Sequence, residues 1–158
     1  MDNSVHIIYR NYKNPPNLKI LINLRNFCKK KGIKLYLSNN FKLALKLQLD
    51  GVYLPSFNKS TRYNCFKFKK NFDVVGSAHN VMELNTKIRQ QVKSIFIAPV
   101  FKKKINKLGI YGFLKFRSFT NRELIVLGGV TSEKMNMINF LNAEGFAAID
   151  YFQKKRPL

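Results

Sequence analysis

Seven times along this chain a short, nearly unbroken apolar run gives way to a segment with helical spacing, and that alternation constrains the fold most. The runs are Val5–Arg10, Ile33–Leu37, Val52–Leu54, Asp73–Gly76, Ser94–Ala98, Leu124–Leu127 and Gly145–Ile149. Between the first two, Asn17–Lys31 carries Leu18, Leu21 and Ile22 at helical spacing, with Cys28 further along. Its last turn holds Lys29, Lys30 and Lys31, which suit the negative end of a helix, and Gly32 is a natural stop. Asn40 can cap a short helix through Gln48, and Asp50-Gly51 reads as a turn. The stretch from Pro55 to Asn71 is a polar, Lys-rich loop. Asn80 and Glu83 form a capping-box-like start to a helix with Leu84, Ile88 and Val92 at four-residue steps. Gly112–Thr120 is expected to hold a short helix. Thr131 opens another through Leu141, with Glu133 in its first turn and Met135, Ile138 and Leu141 at three-residue steps.

Strands without a polar face, alternating with helices, imply a parallel sheet covered on both sides. Periodicity leaves two architectures open, a (β/α) barrel and an open doubly wound sheet. Both place ligands at the C-terminal ends of the strands. The candidate site is therefore Arg10, Ser38–Asn40, Pro55–Asn58, Ser77–His79, Pro99–Lys107, Gly128–Thr131 and Asp150. These positions are polar and cationic, with Asp150 their one acid. Gly128-Gly129 before a Thr/Ser helix start lets backbone N–H groups approach an anion, although a plain tight turn accounts for the same residues. Lys102, Lys103, Lys104 and Lys107 make a cationic loop that suits a diphosphate or a solvated face. His79 shows no Cys nucleophile or acid partner in sequence, so a triad is unsupported and a structural histidine is the simpler reading. No carboxylate pair suited to acid–base chemistry stands out.

A chain of 158 residues with 46% hydrophobic residues is one domain-sized globular unit, here 1–158. The 29 Lys+Arg against 8 Asp+Glu give a net charge of +21, which favours polyanionic ligands. The joint abundance of Lys, Asn, Ile and Phe fits an AT-rich coding bias, so most lysines are expected on a solvated face. No helix-turn-helix, zinc spacing or RNP-like aromatic motif supports nucleic acid binding, and Phe and Tyr are expected in the core. Cys28 and Cys65 lie far apart, outside metal-ligand spacing, and suit a reducing cytosol. The apolar run at the start is too short for a signal peptide, and none approaches the roughly 20 residues that span a bilayer. A soluble, cytoplasmic protein with no membrane association is expected.

Taken in order, the strand ends resemble those of thiamine phosphate synthases and the related thiazole tautomerases. Arg10, in Tyr9–Lys13, is similar to the arginine of a Q-x-R-x-K strand end. Leu35–Asn40 resembles I-I-N-D, Asp50–Leu54 resembles D-G-V-H-L, and Gly76–His79 resembles the end of G-V-S-A-H. Ala98–Phe101 resembles G-P-V-F, Leu127–Val130 resembles I-G-G-I, and Gly145–Ile149 resembles G-V-A-V-V. The resemblance covers about Val5 to Phe152 and implies an α/β fold, a TIM-type (β/α) barrel of seven strands lacking the first βα unit. A misplaced start, a partner in a homo-oligomer, or a seven-strand variant that closes would each account for that.

The resemblance also implies an activity: joining a hydroxymethylpyrimidine diphosphate to a thiazole phosphate with release of diphosphate, aided by Mg2+. Phosphorylated small molecules would then be the ligands. It places the diphosphate near Arg10, Asn39, Ser77, His79, Lys104 and Lys107, and the thiazole phosphate on the backbone of Gly128 and Gly129. The departures are specific. The two aspartates that hold Mg2+ fall on Asn39 and Asn58, which removes two negative charges from a site where anionic oxygens dominate. The Q and K beside the arginine appear as Ile8 and Tyr12. The tautomerase histidine appears as Pro99, so that activity is unsupported, and a serine after the last strand appears as Asp150. A divergent synthase, a catalytically degenerate family member that binds a phosphorylated ligand, and a basic nucleic-acid-binding protein remain in that order.

Overall fold

The computed structural model describes residues 5–12, 14–65, 69–101, 108–149 and 151. The elements are β1 (His6–Tyr9), α1 (Leu18–Lys31), β2 (Lys34–Ser38), α2 (Phe41–Lys46), β3 (Gly51–Leu54) and β4 (Asp73–Ala78). They continue with α3 (Val81–Arg89), β5 (Ser94–Ile97), α4 (Gly109–Ser118), β6 (Glu123–Leu127), α5 (Met135–Phe140) and β7 (Gly145–Ala147). All seven expected strands are present, and all form one sheet.

Every strand pairs in parallel with its predecessor, giving the order β1-β2-β3-β4-β5-β6-β7. A doubly wound sheet would reverse its strand order at a switch point. The unreversed order is that of a (β/α) barrel, here a curled seven-strand part of one with β1 and β7 at its ends. Alternation along the strands separates two cores. Leu35, Leu37, Val52, Leu54, Ile95, Ile97, Leu124 and Val126 face the helices, meeting Leu21, Ala44, Leu84, Phe113 and Ile138. Tyr36, Tyr53, Val75 and Phe96 fill the inner face with Ile8, Ile125, Leu127 and Ala147. No helix among the described residues is long and apolar enough to cross a membrane.

Asparagine caps open the helices in the first half of the chain, at Asn40 as expected and at Asn17, which was expected inside the helix. The Asn17 side chain accepts from Ile20 N at 3.2 Å, the Asn40 side chain accepts from Leu43 N at 3.0 Å, and Gly32 ends α1 at φ 64°. Three expectations need correction. Val92 lies beyond α3, because Gln91 at φ 55° turns the chain out of the helix and sends Val92, fully buried, toward β5. The helix expected from Thr131 is a 3-10 turn, Ser132–Lys134, followed by the six-residue α5, and the Thr131 side chain makes no cap. The short helix placed at Gly112–Thr120 instead begins at Gly109.

The N-terminal end of the sheet gathers most of the described acids. At the N-terminal end, the Asp73 carboxylate receives Lys34 Nζ at 3.0 Å, the Tyr36 hydroxyl at 3.2 Å and Lys93 Nζ at 3.4 Å. Burial raises the Asp73 pKa, but the lysines and the phenol outweigh it and hold the group below its ordinary value. Asp50 accepts from Leu35 N at 2.8 Å, Glu144 accepts from Leu124 N at 2.7 Å, and Glu123 accepts from the Ser94 hydroxyl. Four of the six acids among the described residues are thus fixed at this end.

Gly51 opens β3 where only hydrogen fits: a Cβ there would stand 1.9 Å from the Asp73 carbonyl oxygen. Gly145, in β7, has nothing within 4 Å of that position. In urea titrations Gly51→Ala should lose at least about 3 kcal/mol or fail to fold, as expected of backbone overpacking. Gly145→Ala should stay within about 0.5 kcal/mol of wild type.

Candidate functional site

Parallel pairing delivers all seven C-terminal strand ends to one side of the molecule. Cross-links between the loops hold several of them together. Ala98 N donates to Ala78 O at 3.2 Å, Val100 N to Leu127 O at 3.1 Å, and Phe101 N to Gly128 O at 2.9 Å. Asn39 N donates to Tyr53 O at 2.9 Å and so ties the end of β2 to β3.

Tyr53 is the centre of the first group. Its ring stands edge-on to Phe96, with centroids 5.7 Å apart, at the floor of the mouth. Burial raises its pKa, while Ser77 and Arg10, both close enough to act on the hydroxyl, pull the other way without reversing the shift. The phenol therefore stays neutral, between two expected site residues. Ser77 is itself buried, whereas Arg10 is exposed and lays its guanidinium carbon 5.6 Å from the centre of the Tyr12 ring. Tyr12 accepts from the Ser38 hydroxyl at 3.1 Å and meets Phe57 edge-on at 5.5 Å. An open cleft of about 340 Å³ lies beside it, lined by Tyr12, Pro15, Ser38 and Asn39 among others. Tyr12 and Phe57 are half exposed or more, unlike the buried aromatic residues of the core.

His79 does have an acid partner. Its Nδ1 lies 3.0 Å from Glu83 Oε2, and the same carboxylate oxygen accepts from His79 N at 2.6 Å. The Asn80 side chain accepts from Glu83 N at 2.9 Å, so the capping box is real but its carboxylate reaches one residue further back than Asn80. Gly128 and Gly129 adopt φ 94° and 74°, and a Cβ on Gly128 would stand 3.2 Å from Pro99. Without a capped helix behind it, this turn offers backbone N–H groups alone. Lys104, Lys107 and Asp150 lie outside the described residues.

Asn39 and Asn58 are brought together, but not as ligands for a hard cation. Asn58 Nδ2 donates to Asn39 Oδ1 at 2.6 Å. Asn58 Oδ1 accepts from Ser60 N at 2.9 Å and from Gln90 Nε2 at 3.3 Å. Both amide oxygens are committed to N–H donors, and neither carries charge. Among the described residues no cluster of three His, Cys, Asp or Glu side chains could hold a metal. This donor set does not fit Mg2+, which favours anionic oxygens in octahedral array.

The sequence reading missed Lys87. Its side chain is fully buried, and Nζ donates to Pro55 O at 2.8 Å, Asn58 O at 2.8 Å and Gln90 Oε1 at 2.9 Å. Three acceptors match the three donors of an ammonium group. Gln90 Nε2 adds bonds to Asn58 O at 3.0 Å and Ser60 O at 2.8 Å. The lysine stem crosses β4 at Gly76, where a Cβ would stand 2.8 Å from Lys87 Cδ. The sequence signal was a glycine inside a strand, which marks a close approach by another group.

Fold and mouth together define a TIM-type (β/α)-barrel protein whose donors collect at the C-terminal face. The sequence profile described as thiamine monophosphate synthase matches residues 4–152. The chain belongs to the thiamine monophosphate synthase family. It is 28% identical over 140 residues to an Aquifex aeolicus protein provisionally named thiamine-phosphate synthase 2, covering 85% of this chain and 74% of that one. It is 25% identical over 154 residues to a thiamine-phosphate synthase of Prochlorococcus marinus, spanning 92% of this chain but 42% of that protein. Thiamine phosphate pyrophosphorylase of Pyrococcus furiosus superposes with a TM-score of 0.75 at 17% identity, over 93% of this chain and 72% of that one. At that identity the likeness shows the fold.

Burial lowers the Lys87 pKa to about 8, with Glu83 opposing the shift. An unfolded lysine keeps its proton to about pH 10.4. Between those values the folded state binds fewer protons, so the term from this group favours folding as pH rises. Thermal melts of wild type and Lys87→Met should therefore diverge in favour of wild type from pH 8 to 10, and should keep a constant gap between pH 6 and 7.

Proposed function

We propose that this protein is a divergent thiamine phosphate synthase. The carbon–oxygen bond between the pyrimidine methylene and the diphosphate breaks, and the diphosphate leaves with the electron pair. The thiazole nitrogen supplies its lone pair to the same methylene carbon, and the product is a thiazolium. Arg10 meets the charge developing on the leaving diphosphate, with the Tyr53 and Ser77 hydroxyls beneath it. The Gly128 and Gly129 N–H groups receive the thiazole phosphate. No step is routed through a metal held by Asn39 and Asn58.

The observation that carries this reading is that parallel pairing brings Arg10, Tyr53 and Ser77, on or directly after β1, β3 and β4, to one strand-end face. Family membership supports it. A second reading, a member that holds a phosphorylated ligand without turnover, is favoured by the Asn39–Asn58 amide pair, which replaces two charged groups with a self-satisfied contact.

Purified protein given both substrates should release diphosphate and form thiamine phosphate, followed by phosphate release and mass spectrometry. Arg10→Ala should lower kcat/KM about tenfold or more, the effect of losing one charge-assisted contact. Absence of product with retained binding of the pyrimidine diphosphate would favour the second reading.

A further inference from the structure

We propose that Lys87 and Gln90 are positioning residues that grip the chain after β3 and fix Asn58 with its amide nitrogen, not its oxygen, toward Asn39. The two side chains lie one helical turn apart on α3 and its C-cap, both at 3% exposure or less. Between them they donate to the carbonyls of Pro55, Asn58 and Ser60, and Lys87 also donates to Gln90. That stretch has no helix or strand of its own, so beyond the turn closed by Asn58 N and Pro55 O these bonds hold its path.

The orientation of the Asn58 amide follows from its surroundings. Its oxygen faces two donors, Ser60 N and Gln90 Nε2, and its nitrogen faces an acceptor, Asn39 Oδ1. Turning the amide over would set an NH₂ group against two N–H groups and an oxygen against an oxygen. All three contacts oppose the flip. The Asn39 backbone is fixed as well, in the left-handed region at φ 56°, with its N–H bonded to Tyr53 O. Gly76 completes the device, because only a residue without Cβ lets the Lys87 stem reach the loop.

The consequence concerns the ligand chemistry of the mouth. Between the ends of β2 and β3 this chain presents amide N–H groups, which attract phosphoryl oxygens and repel cations. The mouth therefore takes phosphoryl oxygens directly on N–H donors, without a divalent ion between Asn39 and Asn58. This consequence rests on the proposed ligand class, whereas the clamp itself does not.

The test uses ligand-free full-length protein and hydrogen exchange, followed by titration with inorganic diphosphate. The Asn58 and Ser60 amides should exchange about tenfold faster in Lys87→Met and Gln90→Ala than in wild type, as local opening predicts. Exchange in β5 and β6 should not change. Where Lys87→Met does not fold, Gly76→Ala, which keeps the amine but crowds its stem, should produce the same local loss. Wild type should bind diphosphate equally well with Mg2+ or with EDTA, and Gln90→Ala should bind it more weakly. Unchanged exchange at Asn58 and Ser60 in Gln90→Ala would overturn the clamp. Binding that needs Mg2+ would overturn its consequence. Failure to make thiamine phosphate would leave the exchange result standing and would count only against the proposed reaction.

Discussion

A parallel sheet has two unlike ends, and everything proposed for this protein depends on what the chain puts at each. Six successive parallel pairings send every strand in one direction, so strand starts and strand ends cannot mix. Asp50, Asp73, Glu123 and Glu144 are anchored among the strand starts by backbone N–H groups, hydroxyls and cations. Of the six acids among the described residues only Glu83 and Glu133 follow strand ends, and Glu83 is held by His79.

The mouth combines rigid and open parts. Tyr53, Ser77 and Arg10 stand on or directly after strands, and the sheet fixes their spacing. Asn58 stands on a loop, and a loop holds a side chain only if something holds the loop. Here that role falls to a lysine whose ammonium is desolvated and matched by three oxygens. Such an arrangement is costly to break, because removing the amine leaves buried carbonyls without partners. The same loop places Phe57 against Tyr12, so the clamp also bears on the aromatic rim of the cleft.

Much of the fold was legible in the sequence because its signals are local. Short apolar runs, the Asn caps at 40 and 80, and the Gly32 stop depend on near neighbours and are legible in the sequence. Strand order was not legible, since periodicity is the same in a barrel and in a doubly wound sheet. The choice needed either the motif resemblance or the pairing itself. The Thr131 segment misled because its apolar spacing fits a helix, while the chain begins it as a 3-10 turn without a cap. Lys87 was invisible for a different reason. In a chain with so many lysines, one more on a helix reads as solvent-facing, and only the partner strand reveals that Gly76 leaves a channel for it. The His79–Glu83 contact was within reach of sequence reasoning, since four residues bring side chains together at a helix start.

The central claim is that separate strand ends form one mouth that receives phosphoryl oxygens. The direct measurement is a titration of 15N-labelled protein with inorganic diphosphate, following the amides of Arg10, Ala78, Gly128 and Gly129. The account predicts that Arg10 and Ala78 shift together and saturate with a single dissociation constant, and that Gly128 and Gly129, the proposed thiazole phosphate site, also shift and saturate. Shifts confined to scattered surface lysines, or different constants at Arg10 and at Ala78, would contradict it.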